Sequence, residues 1–234
     1  RLGCYLDKGC VVVFHLVDFK QRFYFLLIAL FLLGAGNALA IATHLGSAVW
    51  TGTTVNLAHV FHAQLGNTLF VFGIVVTVLN QLLLGHFDRR RLISNILFTL
   101  PFSYLVAAFT VFWQWLGVGQ LNLPVRLILD TLGIVIVGTG GSIYQRANLI
   151  LHPTDDLAYI IRFKYLNGSA TFGQWASYIP PLLLLVFCGF WLKRLDAIGY
   201  GTVVALLVQG SIVAWADHHI FTSLKQHVDV VAHR

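Results

Sequence analysis

The side chains best suited to chemistry in this sequence are the adjacent acids Asp155 and Asp156. They follow His152, Pro153 and Thr154, and they open a helix-like stretch that is too short to cross a bilayer. The first turn of a helix stabilises negative charge, so capping, with Thr154 as the N-cap, would explain both acids. Acids at membrane depth are nevertheless costly and usually functional. The sequence therefore also predicts that one acid contacts a substrate or carries a coupling proton or cation, and the two roles are compatible.

A second polar segment lies at the matching place in the first half, at residues 46–65, and it has no Lys, Arg, Asp or Glu. The N-terminus of a short helix at membrane depth would present free N–H groups and a partial positive charge, which suit an anionic group. We predict a substrate site between the two segments. Its candidate residues are Ser47, Trp50, Thr51, His59, His152, Asp155 and Asp156.

A metal centre or an enzyme active site is predicted less well by these residues. His59 and His62 are three residues apart and would share one helix face, but no further ligand is placed beside them by spacing. We expect them to act in packing or at the membrane interface. A membrane-embedded enzyme would use His152 with the two acids, yet no nucleophile–base pair or complete metal set can be assembled from the sequence. We therefore expect no enzymatic activity, no metal and no cofactor.

Composition indicates what kind of scaffold positions these residues. The 234-residue chain is 58% hydrophobic and only 10% charged, whereas a soluble domain carries about 25% charged residues. Runs of about 20 apolar residues predict helices that cross a bilayer. The net charge of +6 does not indicate nucleic-acid binding, because the basic residues of membrane proteins concentrate in cytoplasmic loops.

Six membrane spans are predicted, at residues 22–43, 68–84, 92–116, 125–147, 172–192 and 198–216. The chain then divides into a lead-in (1–21), a first three-helix repeat (22–116), a linker (117–124), a second three-helix repeat (125–216) and a His-rich tail (217–234). We expect Pro101 to kink span three and the pair Pro180-Pro181 to bend span five. The predicted fold is an all-α membrane protein in which each repeat contains one short re-entrant or interfacial helix.

The two halves repeat the order of their features. Gly34 and Gly36 of span one match Gly138 and Gly140 of span four at a shift of 104 residues (138 − 34). Because each half crosses the membrane an odd number of times, the second half would be inserted upside down relative to the first. Inverted repeats of three plus three helices recur in secondary transporters.

Basic residues predict the orientation of the chain. With the N-terminus inside, every Lys and Arg except Arg126, Lys193 and Arg194 falls on the cytoplasmic side. Both termini are then cytoplasmic. Each short segment must begin and end on the same side, so it either re-enters the membrane or lies along its surface.

The motifs of the second half resemble those of a known family. This half contains Leu149, Pro153, Asp155 and Leu157, followed later by Gly199-Tyr-Gly-Thr202. The pattern resembles the YczE/YitT-type bacterial integral membrane proteins, in particular the YczE-like branch, over residues 22–216. In that family each half has Leu-Gly-x-x-Pro-x-Asp after its first span and Gly-x-Gly-Thr before its last.

The first half matches this pattern less completely. It keeps Leu45, Gly46 and Trp50, but it has Val49 in place of the proline and Thr51 in place of the acid. It also reads Ser94-Asn-Ile-Leu in place of Gly-x-Gly-Thr. The missing acid argues against a mechanism that uses two carboxylates.

The resemblance implies a bacterial inner-membrane protein and a transporter, without indicating a substrate. It aligns Asp155 with the family's Pro-x-Asp and so implies that Asp155 faces the cavity. Consecutive helical positions point about 100° apart, so Asp156 would face the interface or cap the helix.

Three functions are compatible with this architecture. We expect a secondary transporter or permease for a small molecule or ion, with its site near the bilayer midplane between the short segments. The alternative is a substrate-binding or accessory membrane subunit of a larger complex, because the chain is small. The sequence is compatible both with a homo-oligomer and with binding to partner subunits. A membrane-embedded enzyme is the least favoured.

Overall fold

A computed structural model describes residues 8–222 and 224, and it describes side chains from residue 19 onward except that of residue 170. The described chain is helical and contains no strand. Its elements are α1 (Lys8–Ala42), α2 (Val49–Val60), α3 (Leu65–Leu84), α4 (Arg89–Trp115), a 3₁₀ turn (Val118–Gln120), α5 (Leu123–Ala147), α6 (Pro153–Ile160), a π turn (Ile161–Tyr165), α7 (Ala170–Ser177), α8 (Ile179–Leu192) and α9 (Tyr200–His219).

Six helices are long and apolar enough to cross a membrane, which confirms the predicted number and the all-α class. They are α1 from Phe19 onward, α3, α4, α5, the nearly continuous pair α7–α8, and α9. Large apolar side chains of the outer helices are exposed, among them Leu82 (72%), Phe190 (83%) and Leu207 (76%). Contiguous apolar surface of this kind indicates contact with lipid.

The predicted ends of the chain differ in part from the structure. Residues 8–21 of the predicted lead-in continue into span one as a single 35-residue helix, α1. No proline or cap interrupts this stretch, so the helix does not stop at the membrane boundary. Residues 1–7 of the lead-in, and residues 223 and 225–234 of the predicted His-rich tail, lie outside the described residues.

Prolines divide one span and leave another continuous. Span five separates into α7 and α8 at Tyr178, immediately before Pro180 and Pro181, as the two missing N–H groups require. Helix α4 runs through Pro101 without a break.

The centre of the bundle is the crossing of α1 and α5, and α1 is the most buried span. A Cβ on Gly36 would lie 2.7 Å from the carbonyl oxygen of Gly133, and a Cβ on Gly133 would lie 2.9 Å from that of Gly36. The two backbones can approach this closely only because both residues are glycine. Helix α4 packs on α1, and α9 packs on α5.

The two predicted short helices are present, and neither spans the membrane. Helix α2 has 12 residues and α6 has 8, which gives lengths of about 18 and 12 Å. Each packs against a long helix of the other half: α2 lies on α8, and α6 lies on α3. Their first turns line one cavity.

Candidate functional site

A cavity of about 360 Å³ lies where the first turns of α2 and α6 meet. It is bounded on its other sides by α1, α5, α7 and α9, and Phe102 of α4 closes one end. The polar side chains that line it are Asn37, Trp50, Thr51, Tyr144, Gln145, His152, Thr154, Asp155, Gln174, Tyr178 and Gln209. Pockets that bind small molecules begin at about this size.

Asp155 lines this cavity, and Tyr144 holds it in place. The hydroxyl of Tyr144 donates to Oδ2 of Asp155 over 2.9 Å. The same hydroxyl accepts a hydrogen bond from the backbone N–H of His152 over 3.1 Å. The tyrosine is 4% exposed, so the carboxylate of Asp155 is anchored on a rigid part of α5. Among the described residues, no basic side chain lies within ion-pair distance of Asp155.

His152, rather than the predicted Thr154, is the N-cap of α6. Its Nδ1 accepts from the backbone N–H of Thr154 at 3.2 Å and lies 2.6 Å from the hydroxyl of that residue. Pro153 occupies the first helical position, so the capping residue is the one before it. The imidazole lies edge-on against Phe98 and Phe102. This burial lowers the pKa of His152, and Asp155 opposes the shift. The neutral imidazole is therefore favoured.

Asp156 faces away from the cavity, and its contacts are structural. It is fully buried, accepts from Nη1 of Arg91 at 2.6 Å, and accepts from Nδ2 of Asn95 at 3.1 Å. Burial raises the pKa of Asp156, and the Arg91 guanidinium opposes that shift. These contacts attach α6 to α4. Arg91 was not among the predicted site residues, because its basic run indicated only the cytoplasmic side of the membrane.

Two further predicted site residues also lie away from the cavity. The backbone N–H of Ser47 donates to Ala197 O over 2.9 Å, and its hydroxyl is 3.3 Å from the same oxygen. His59 is exposed and pairs with Asp196 at 2.8 Å. Within the described chain, no three His, Cys, Asp or Glu side chains come together as metal ligands. Of the predicted residues, the structure brings Trp50, Thr51, His152 and Asp155 to one cavity.

The glycine motif before α9 positions the entrance to α2. Gly46, at φ +139°, packs so closely on this motif that a Cβ would lie 2.8–2.9 Å from the backbone nitrogens of Gly199, Gly201 and Thr202. The Thr202 hydroxyl donates to Ser47 O over 2.8 Å. The linker between α1 and α2 is therefore attached to the start of α9, at the back of the cavity.

Asp130, beside this linker, is four residues after Arg126 on α5, a spacing that favours an ion pair, but the two side chains have other partners. The hydroxyl of Thr43 donates to Asp130 Oδ1 over 2.8 Å, and Oδ2 has no hydrogen-bond partner in the described chain. Arg126 instead donates from Nε to Thr43 O over 2.8 Å. The guanidinium of Arg126 thus caps the free carbonyl oxygens at the C-terminal end of α1, where the helix dipole also favours a cation.

Several cavity residues were missed because they lie inside apolar spans. Asn37 accepts from the hydroxyl of Thr51 over 2.9 Å and so connects α1 to the first turn of α2. Tyr144, Tyr178 and Gln209 also line the cavity from long helices. A polar residue within a membrane span is the signal that would have identified them.

A second, much smaller cavity of about 40 Å³ lies on the other side of the same residues. It is bounded by α2, α3, α4 and α6. Five residues line both cavities: Trp50, Thr51, Phe102, His152 and Thr154. These side chains form the partition between the wide space and the narrow one.

Comparison with known proteins identifies the family of this chain. A profile for a family of unknown function, DUF6198, matches residues 20–218, which is most of the chain. The chain belongs to DUF6198. Searches of curated proteins and of solved structures gave no match. The match to DUF6198 covers all six spans and both short helices, and it names no activity. The resemblance to YczE/YitT-type proteins stays a prediction, and the function is argued from the cavity.

Proposed function

We propose that this protein is a secondary transporter of a small solute in the bacterial inner membrane, with both termini cytoplasmic. The observation that best supports this proposal is the space between the first turns of two short helices. A partition of shared side chains divides it into a wide cavity and a narrow one. A site of this kind at a repeat interface is the recurring arrangement of alternating-access transporters.

Reciprocal arginine contacts support an inverted repeat. Arg22 donates to Ala147 O at the end of α5, and Arg126 donates to Thr43 O at the end of α1. The two arginines are 104 residues apart (126 − 22), and so are the two acceptors (147 − 43). Each half thus caps the first span of the other half with an arginine from the start of its own. A two-fold axis between α1 and α5 accounts for both contacts.

Glycine contacts at the crossing of α1 and α5 follow the same shift. Gly36 lies against Val137, and Gly140 lies against Leu33. Exchanging the halves converts one pair into the other, since 140 − 36 and 137 − 33 both equal 104. The short helices also begin 104 residues apart, at Val49 and Pro153.

The halves differ in one respect that supports a moving part. In the first half α3 packs along α4, whereas in the second half α9 packs mainly on α5 rather than on α8. The wide cavity lies beside α9 and the narrow one beside α3 and α4. In the opposite state of the transporter, α3 and α4 would separate and α9 would close on α7–α8. The narrow cavity would then be the open one.

Single-cysteine labelling tests this proposal without knowledge of the substrate. Native cysteines are replaced, and one cysteine is placed beside each cavity: Val213→Cys at the wide one and Leu69→Cys at the narrow one. An impermeant thiol reagent is applied to vesicles of either orientation. We expect Val213→Cys to react from one membrane face and Leu69→Cys to react, more slowly, from the opposite face. The chain that retains only the buried Cys188 is the unreactive control.

The result also separates transport from the alternative role. Reaction of both positions from the same face, or no reaction of Leu69→Cys from either face, contradicts alternating access. A substrate-binding subunit that acts only with partner proteins would show reaction at Val213→Cys alone when purified by itself.

A further inference from the structure

We infer that the solute carries a protonated amine or a quaternary ammonium group, and that Asp155 recognises it. This inference rests on the proposed function, because it treats the ligand as a transported solute. The binding test itself does not require transport. It is supported by the charge, the lining side chains and the volume of the wide cavity.

Among the described residues that line the cavity, Asp155 is the one acid, and none is Lys or Arg. Burial lowers the pKa of His152, which favours its neutral form. The formal charge of this lining is therefore negative. The neighbouring Asp156 shows the contrast, because Arg91 neutralises it at 2.6 Å. Within the described chain, a basic side chain thus pairs with Asp156 and none pairs with Asp155.

The carboxylate of Asp155 is prepared to accept a second donor. Tyr144 donates to Oδ2, and no described group donates to Oδ1. Because the tyrosine is buried on α5, the carboxylate does not need to be ordered when a ligand arrives. A cationic N–H group adds a charge-assisted hydrogen bond, which is among the strongest polar contacts.

Four aromatic side chains line the same cavity as this charge. Trp50, Phe102, Tyr144 and Tyr178 all line the cavity. The ring faces of these residues attract ammonium groups, and cages of this type bind quaternary amines. The cation–π contacts of the described chain involve Arg162 and Lys164 at its surface, so none of the cavity rings already holds a protein cation.

The first turn of α2 adds a partial positive charge, which is weaker than the negative charge of Asp155. Ala48 is its N-cap and has no side-chain hydrogen bond to the helix, and Val49, Trp50 and Thr51 line the cavity. A helix N-terminus carries about half a positive charge, which is less than the full negative charge of Asp155. The amine therefore decides binding, and a carboxylate on the same molecule could occupy the α2 end. A cavity of about 360 Å³ restricts the solute to a small amine or amino acid.

The test is titration calorimetry on the full chain in an uncharged detergent at constant ionic strength. The amine probes are choline, propylamine and alanine, and the controls are propionate and propan-1-ol. We expect choline or propylamine to bind and the two controls not to bind. Tighter binding of alanine than of propylamine assigns the solute to the amino acids, and the reverse assigns it to simple amines; both results support the inference.

Variants identify the recognising group. Asp155→Asn keeps the oxygen that accepts from Tyr144 and removes the charge, so we expect the Kd of the bound amine to rise about tenfold or more. The matched control is Asp196→Asn, which removes an acid outside the cavity and should leave the Kd unchanged. The inference is overturned if propionate binds and the amines do not, if no amine binds, or if Asp155→Asn binds amines as well as the unmodified chain does. Since cysteine labelling reports alternation independently of any ligand, failure of this inference and failure of the transport proposal are distinguishable.

Discussion

At the scale of single residues, the adjacent acids Asp155 and Asp156 have separate roles because a helix points them in different directions. Asp155 faces a cavity and is held by a tyrosine, whereas Asp156 is buried against Arg91 and Asn95. Breaking a buried ion pair is costly because it leaves a charge without a partner. Asp156 is thus a fixed connection between α6 and α4, and the site depends on it only through the position of α6.

His152 gives the chain a testable dependence on pH. Burial lowers its pKa from the usual 6.5, so the unfolded chain takes up a proton before the folded chain does. Stability should therefore fall as the pH drops below about 6.5 and should be fully present above it. We expect His152→Asn, which keeps the helix cap, to reduce this slope in melting temperature measured from pH 8 to pH 5.

The exposed His62 provides the control for this measurement. It has φ +49°, a conformation that Asn tolerates, so His62→Asn should leave the slope unchanged. Equal slopes for His152→Asn and the unmodified chain would show that His152 does not titrate differently on folding.

At the scale of elements, two short helices are positioned by close backbone contacts. The linker before α2 lies on the glycine motif that starts α9, and Gly201 lies against both Gly46 O and the carboxylate of Asp130. The glycines are required here for space, since any side chain would fill the contact between the two backbones. The motif therefore acts on the cavity indirectly, by fixing where α2 begins.

Two alanine substitutions in α9 test this packing. In Gly201→Ala the new Cβ would lie 2.5 Å from Gly46 O, so the linker or α9 must move. We expect a loss of about 1–3 kcal/mol in the free energy of unfolding, as for other overpacked sites. Gly210→Ala has no atom within 4 Å of its Cβ and should be neutral or slightly stabilising.

Thermal unfolding of the two variants in the same detergent provides the comparison. If Gly201→Ala melts at the same temperature as Gly210→Ala, the close contact with the linker does not exist in the folded protein.

At the scale of the whole molecule, the halves interlock through α1, α5 and the short helices. Each short helix lies on a span of the opposite half, so the wall of the cavity belongs to both halves of the chain. A movement of one half against the other would change the cavity on both sides of the partition. This arrangement suits a transporter that exposes one site to two faces in turn.

Orientation in the membrane provides the prediction at this scale. The excess of basic residues predicts that Arg90, in the first turn of α4, is cytoplasmic and that Gly119, between α4 and α5, is outside. An impermeant reagent applied to intact cells should therefore label a cysteine at 119 and not one at 90. Labelling of position 90 from outside would overturn the proposed topology.

Several features of the fold were determined by the sequence alone. Apolar runs and the low charge predicted six spans, because a bilayer requires apolar length that soluble domains do not need. The lengths of the polar segments predicted two helices that do not span, and α2 and α6 are such helices. The candidates Trp50, Thr51, His152 and Asp155 came from polar residues at the starts of those helices, where local chemistry is readable from neighbours in sequence.

Only the tertiary structure decided which residues meet. Arg91 lies 65 positions from Asp156 (156 − 91) and neutralises it, and Tyr144 of α5 anchors Asp155. Ser47 and His59 were predicted for the site, but Ser47 instead contacts the carbonyl oxygen of Ala197, and His59 pairs with Asp196. Local spacing specifies which helix face a residue lies on, but the partner of that face depends on how distant helices pack. That packing, and not the motif, leaves Asp155 as the one acid without a basic partner among the described residues that line the wide cavity.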